Sequence, residues 1–206
     1  MMEDSRPMGG ASQAPAVPGR RRTTTRRACG LALSLLLAAA AFSSPAAAAE
    51  ASCPHAAARA ASLTTGTARR TLLCLVNRVR RSHGLPRVRA ERHLRRAATG
   101  HSDDMARRHY FAHDRAGGPP LASRVQATGY LDGVHAWFLG EALAWGSGTA
   151  AEPGQIMTAL LNSPPHRAIL LDPTYRDLGI GLTHAAPDGA GPDAMMVTLD
   201  FGRLQG

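Results

Sequence analysis

Lysine is absent from this 206-residue chain, so all 24 basic residues are arginine and amine-based covalent chemistry has no side chain to use. Aromatic residues make up only 4%, and no nucleic-acid-binding motif occurs, which argues against nucleic acid as a partner despite a net charge of +9. Three cysteines are too few for a four-thiolate zinc site, and no C-x-x-C spacing supports redox exchange. Neither H-E-x-x-H nor G-x-S-x-G appears, which removes two linear signatures of hydrolytic enzymes. The apolar run from Gly30 to Phe42 is too short to cross a bilayer as a stable helix.

That run has a context. Arginines at 20, 21, 22, 26 and 27 precede it and Ala47-Ala48-Ala49 follows, the arrangement of an export signal cleaved after Ala49. Retention as an uncleaved anchor is the alternative. Arg26-Arg27 suits a twin-arginine route but Ala28-Cys29 behind it does not, so that route and general secretion both stay open. The expected organisation is a signal peptide over 1–49, an Ala/Ser/Thr-rich lead-in over 50–66 and one domain over 67–206. The mature chain would be secreted, in the extracellular medium or associated with the envelope, with no membrane span of its own.

Cleavage would remove six arginines and two acids, leaving 18 against 13, a net charge of +5 on 157 residues. A moderately basic exterior suits an anionic envelope polymer or lipid headgroups as partner. Cys29 would leave with the signal, and Cys53 and Cys74 would remain as a pair in an oxidising compartment, where a disulfide is expected. Closing a loop of that size is worth about 3 kcal/mol in the chain-entropy account.

Within the domain, Leu72, Leu75, Val76 and Val79 recur at helical spacing until Gly84 and Pro86 stop the run. A second helix is expected from about Ala90 to Arg108, with Leu94, Ala97, Ala98, His101 and Met105 inward and Arg92, Arg95 and Arg96 outward. Gly100 inside it costs about 1 kcal/mol relative to alanine. Short helices follow at Pro119-Pro120 and Pro153, the latter broken by Pro164-Pro165. The tail changes period. Leu178, Ile180 and Leu182 alternate with glycines, and Met195, Val197, Leu199 and Phe201 alternate after a Pro/Gly-rich turn, so two antiparallel strands are expected. Helices first and strands late imply an α+β fold, with helices covering a small antiparallel sheet.

Three polar residues stand between these elements: His113, Glu141 and His166. Two imidazoles and a carboxylate suit a divalent transition metal with an open position, or an acid–base set; each histidine taken singly is more often a hydrogen-bonded structural residue. His101, Met105 and His109 share a helix face, read as a core stripe. Trp137 and Trp145 flank Glu141 and are expected to pack around it, with stacking on a sugar as the alternative.

Motifs add what spacing lacks. Cys74-Leu75-Val76-Asn77-Arg78-Val79-Arg80 before His83-Gly84-Leu85-Pro86, then His101-Ser102-Asp103-Asp104-Met105, Tyr110-Phe111-Ala112-His113, Arg124, Gly129-Tyr130, Gly140-Glu141, Ser163-Pro164-Pro165-His166-Arg167, Leu178-Gly179-Ile180-Gly181 and Asp200-Phe201-Gly202 occur in this order. The series resembles a bacterial CAP (SCP) domain, of the family of cysteine-rich secretory, antigen 5 and pathogenesis-related proteins, from about Leu72 to Gly202. The resemblance implies an α-β-α sandwich and a cleft with a His-Glu-Glu-His tetrad that binds zinc or another divalent cation in some members. By position, His113, Glu141 and His166 match three of the four. Ser163, in Leu160-Leu161-Asn162-Ser163, stands where other members have the remaining Glu, and Ala142 replaces the Asn of the usual Gly-Glu-Asn.

The resemblance supports a secreted binding domain on the envelope or in the medium, either purely non-catalytic or divalent-metal dependent through His113, Glu141 and His166. A hydrolase with Ser163 as nucleophile, His166 as base and Glu141 as orienting acid is a second reading, and lipid or sterol carriage a third.

Overall fold

The computed structural model describes residues 53–189 and 191–205. The export segment 1–49, its cleavage point and Cys29 lie outside the described residues. In order, the chain forms α1 (Thr65–Ser82), β1 (Arg89–Ala90), α2 (Arg92–Arg108), α3 (Leu121–Gln126), β2 (Ala136–Ser147), α4 (Pro153–Asn162), α5 (Pro164–Leu171), β3 (Asp177–Thr183) and β4 (Ala194–Gln205), with 3-10 turns at Ala60–Ser62 and Gly148–Ala151. Local chemistry sets the ends. Thr64 caps α1 by accepting from Thr67 N at 3.1 Å, Glu91 caps α2 by accepting from Leu94 N at 2.7 Å, and Pro153 and Pro164 open α4 and α5.

The four strands lie in the order β1-β3-β4-β2. β3 and β4 are antiparallel, as the alternating tail implies, and β2 extends the sheet antiparallel to β4. The sheet is nevertheless mixed rather than wholly antiparallel, because the two-residue β1 joins β3 in parallel after returning from α1. Alternation then sorts the faces. Leu178, Ile180 and Leu182 of β3, with Val197, Leu199 and Phe201 of β4, point into a large core shared with Leu72, Leu75 and Val76 of α1, Ile156 and Leu160 of α4 and Leu170 of α5. Cys53, Ala60 and Leu63 belong to the same core, and Cys53 is joined to Cys74 by the expected disulfide.

The opposite face receives α2. It seats close because Gly179 and Gly181 leave no side chain there: a Cβ at either would stand 2.1 Å from the backbone of Leu94 or Ala98. Helices on both faces make an α-β-α sandwich of the α+β class. On the α2 side the apolar packing falls into two clusters, one around Leu94, Ala97, Val125 and Tyr130, the other around Met105, Leu143 and Met196. Polar side chains fill the interval between them.

Fixed connections hold the frame around this arrangement. Asn77 donates to Val88 O and accepts from Val88 N, at 2.9 and 2.8 Å. The fully buried Arg80 donates to the carbonyls of Pro86, Leu170, Asp172 and Tyr175. No helix among the described residues is long and apolar enough to cross a membrane.

Candidate functional site

Glu141 lies midway along β2, on the α2 face between Leu139 and Leu143, in the gap between the two apolar clusters. It is buried, and a buried carboxylate requires partners. His113 Nδ1 donates to one of its oxygens at 2.8 Å and Arg124 Nη2 to the other at 2.5 Å. His101, on α2 between Ala97 and Met105, brings Nε2 within 3.9 Å of the second oxygen while donating to Ala112 O at 3.1 Å.

His113 reaches Glu141 because α2 ends abruptly. His109 takes a left-handed conformation (φ 54°) as the C-cap and turns the chain back into a loop. Arg124, on α3, then gathers that loop: its Nη1 donates to the carbonyls of His113 and Pro119 at 3.1 and 3.0 Å and lies 3.4 Å from Asp114. One arginine thus holds both the loop carrying His113 and the carboxylate that His113 meets.

His166 enters from the first turn of α5, placed there by the Pro164-Pro165 break. Its ring centroid is 6.1 Å from that of His113, with the planes at 57°. Among the described residues no hydrogen bond joins His166 to Glu141 or to Ser163, which serves as the C-cap of α4 and the N-cap of α5. The structure therefore brings His113 to Glu141 and His166 to His113, and leaves the Ser163-His166-Glu141 series unlinked.

The electrostatics follow from these contacts. Burial pushes the Glu141 carboxyl up, but the His113 bond, Arg124 and His101 outweigh it and hold it below the ordinary glutamate value. The Glu141 bond raises His113 against the opposing effect of partial burial. Burial, reinforced by His113, lowers His166, and burial likewise lowers His101 despite the neighbouring Glu141. Glu141 thus stands as the anion paired with Arg124, His113 is biased toward its protonated form, and His101 and His166 are biased toward the neutral imidazole.

Sequence reasoning left Arg124 and Asp200 without a function and placed His101 in the core. His101 and Met105 are indeed buried, whereas His109 is exposed at the helix end. Asp200 faces Glu141 across the β2–β4 pairing and is fully buried. Its signal was available in the strand alternation, which puts it on the face opposite Leu199 and Phe201. Trp137 and Trp145 do not pack around Glu141: each is 41% exposed and lies four residues along the strand from it, roughly 13 Å. Arg167 is exposed and pairs with no carboxylate among the described residues.

Comparison with known proteins agrees with this architecture. An uncharacterized membrane protein of Bacillus subtilis (strain 168), YlbC, is 34% identical over 118 residues, 56% of this chain and 32% of its own length, so the chain spans about a third of that relative. The crystal structure of an extracellular SCP-domain protein from Bacillus anthracis (strain Ames) aligns with a TM-score of 0.51 at 26% identity, covering 68% of this chain and 44% of its own. An outer surface protein of Borrelia burgdorferi shares the fold with a TM-score of 0.58 at 17% identity, over 69% of this chain and 97% of its own. The family model of the cysteine-rich secretory proteins matches residues 73–201, and the chain belongs to that CAP family.

Proposed function

We propose that this chain acts outside the cytoplasm as a binding domain, with His113 and His166 presenting paired imidazoles to a ligand. The observation that carries the reading is the engagement of Glu141. Both of its oxygens are taken by His113 and Arg124, so the carboxylate orients the site, while His113 keeps Nε2 and His166 has no hydrogen-bond partner among the described residues. The signal-like segment 1–49 and the extracellular relative from Bacillus anthracis support the location.

Two facing imidazoles suit a divalent cation such as zinc, with His113 and His166 as ligands and Glu141 fixing the ring of His113 from behind. Glu141 does not fit as a direct third ligand while both oxygens are engaged, and among the described residues no three His, Cys, Asp or Glu side chains converge to hold a metal. Bound there, the cation would supply a Lewis-acidic contact to an oxygen ligand.

Thermal unfolding of the purified protein with and without zinc tests the metal-dependent form. Zinc at a hundredfold excess over its Kd adds about 2.7 kcal/mol, and His113→Ala or His166→Ala each removes the gain. An unchanged melting curve in excess zinc overturns metal dependence. Turnover of an ester or peptide panel that vanishes in Ser163→Ala would replace the binding reading with a hydrolytic one.

A further inference from the structure

Gly100 is the least helix-favouring residue inside α2, yet packing does not require it: a Cβ there would meet nothing within 4 Å among the described residues. Its missing side chain keeps open a cavity of about 320 Å³, within the range of small-molecule sites. Arg96, Gly100, Asp104 and Arg107 recur along one face of α2 and form one wall, and Arg115 and Arg124 come across from the following loop and α3.

The wall is rich in donors. Asp104 is the acid lining it, and it is already shared, accepting from Arg108 at 2.8 Å and Tyr110 Oη at 2.9 Å with Arg107 and Arg115 each at 3.6 Å. Glu141 offsets Arg124 from behind. The lining Arg96, Arg107, Arg115 and Arg124 with the adjacent Arg108 are five cations against Asp104, Glu141 and the Asp114 beside Arg124, which leaves two positive charges over, and among the described residues the buried Nε atoms of Arg115 and Arg124 have no hydrogen-bond partner. The neighbouring His101 adds no charge, since burial lowers it.

We propose that this cavity binds a phosphate monoester. A doubly charged oxyanion matches the charge surplus, planar guanidinium forks fit its oxygens, and the volume above Gly100 takes a small organic group. The site is independent of the His113–His166 reading, although Arg124 borders both. The phosphate has two possible sources, a soluble ester or a lipid headgroup.

Calorimetric titration of the purified protein with glycerol 3-phosphate and inorganic phosphate, beside co-sedimentation with phosphatidylcholine vesicles with and without phosphatidate, tests it. Saturable binding is expected in one of the two arms, and which arm responds identifies the source. Gly100→Leu fills the floor without changing charge and weakens binding by about tenfold or more, as does Arg107→Gln, whose side chain is exposed and whose loss does not threaten folding. Arg59→Gln, at a distant arginine paired with Asp193, leaves binding within about twofold. No binding in either arm, wild-type binding by both cavity variants, or an equal loss in Arg59→Gln overturns the proposal.

Discussion

Glu141 on β2 and Asp200 on β4 are register partners, and their carboxyl groups meet on the sheet face that α2 covers. Among the described residues neither oxygen of Asp200 has a donor, so two carboxylates would face each other as acceptors. A proton on Asp200 turns the contact into a hydrogen bond to Glu141. Burial first, and the Glu141 charge second, push the Asp200 carboxyl well above the ordinary aspartate value.

Asp200→Asn places an amide donor where the protonated acid stands, so the folded state keeps or gains stability at pH 7, by about 1 kcal/mol. The pH dependence has a definite sign. A folded-state pKa above the unfolded one stabilises fully below about pH 4 and loses that stability as pH rises through the raised value. Urea unfolding from pH 4 to 8 should therefore show a flatter profile in the variant. A loss of more than about 2 kcal/mol at pH 7 would mean that Asp200 is needed as an anion.

The ion pair on the other side of Glu141 titrates oppositely at its two ends. The raised His113 contributes stability that is complete below about pH 6.5 and fades as pH rises through its folded value. The depressed Glu141 contributes stability above the ordinary glutamate value that is lost as pH falls through its folded one. Histidine NMR titration should place His113 above and His166 below the ordinary histidine midpoint. Glu141→Gln should bring His113 back down and cost about 3–5 kcal/mol, because it strips the carboxylate from Arg124, whose side chain is only 10% exposed.

Legibility in the sequence followed the range of the interactions. The β3–β4 hairpin was readable because Leu178, Ile180 and Leu182 alternate with glycines and a Pro/Gly turn follows, all local signals. β2 was not, because Trp137, Phe138, Leu139, Leu143 and Ala144 are apolar on both faces and show no period of two. That gap also hid Asp200, whose closeness to Glu141 requires β2 to pair with β4. His113, Glu141 and His166 stood out as polar residues stranded between apolar elements, but only the family resemblance joined them into one site, since spacing does not fix their mutual distances. Arg124 stood in the same motifs without a function, since its two targets, the loop carbonyls and Glu141, meet only after α3 docks.

Arg80 illustrates a motif residue that acts on the frame. Its four carbonyl acceptors come from the turn after α1, from the last turn of α5 and from the segment joining α5 to β3, so it ties the end of α1 to the end of α5 and the chain that follows. Lysine has no planar fork and cannot reach this spread of acceptors. Arg80→Lys is expected to cost on the order of 2–4 kcal/mol in urea unfolding, through carbonyls left buried without a donor. A cost under about 0.5 kcal/mol would show that water replaces the guanidinium there.

The close seating of α2 on β3 makes the last expectation the most direct. A Cβ at Gly181 would stand 2.1 Å from Ala98 C and 2.2 Å from Ala98 O, and one at Gly179 would stand 2.1 Å from Leu94 C. These are backbone atoms, so no side-chain rotation relieves the overlap and α2 itself must move outward. Outward movement separates His101 from Glu141 and draws the chain leaving α2 away from the carboxylate that His113 meets. Gly181→Ala should therefore cost about 3 kcal/mol or more and also lower the His113 midpoint toward its ordinary value, although residue 181 touches neither group. Chemical unfolding and histidine NMR on the same variant separate the two effects. Lost stability with an unmoved His113 would show that the loop carrying His113 is held by Arg124 alone and not by the seating of α2.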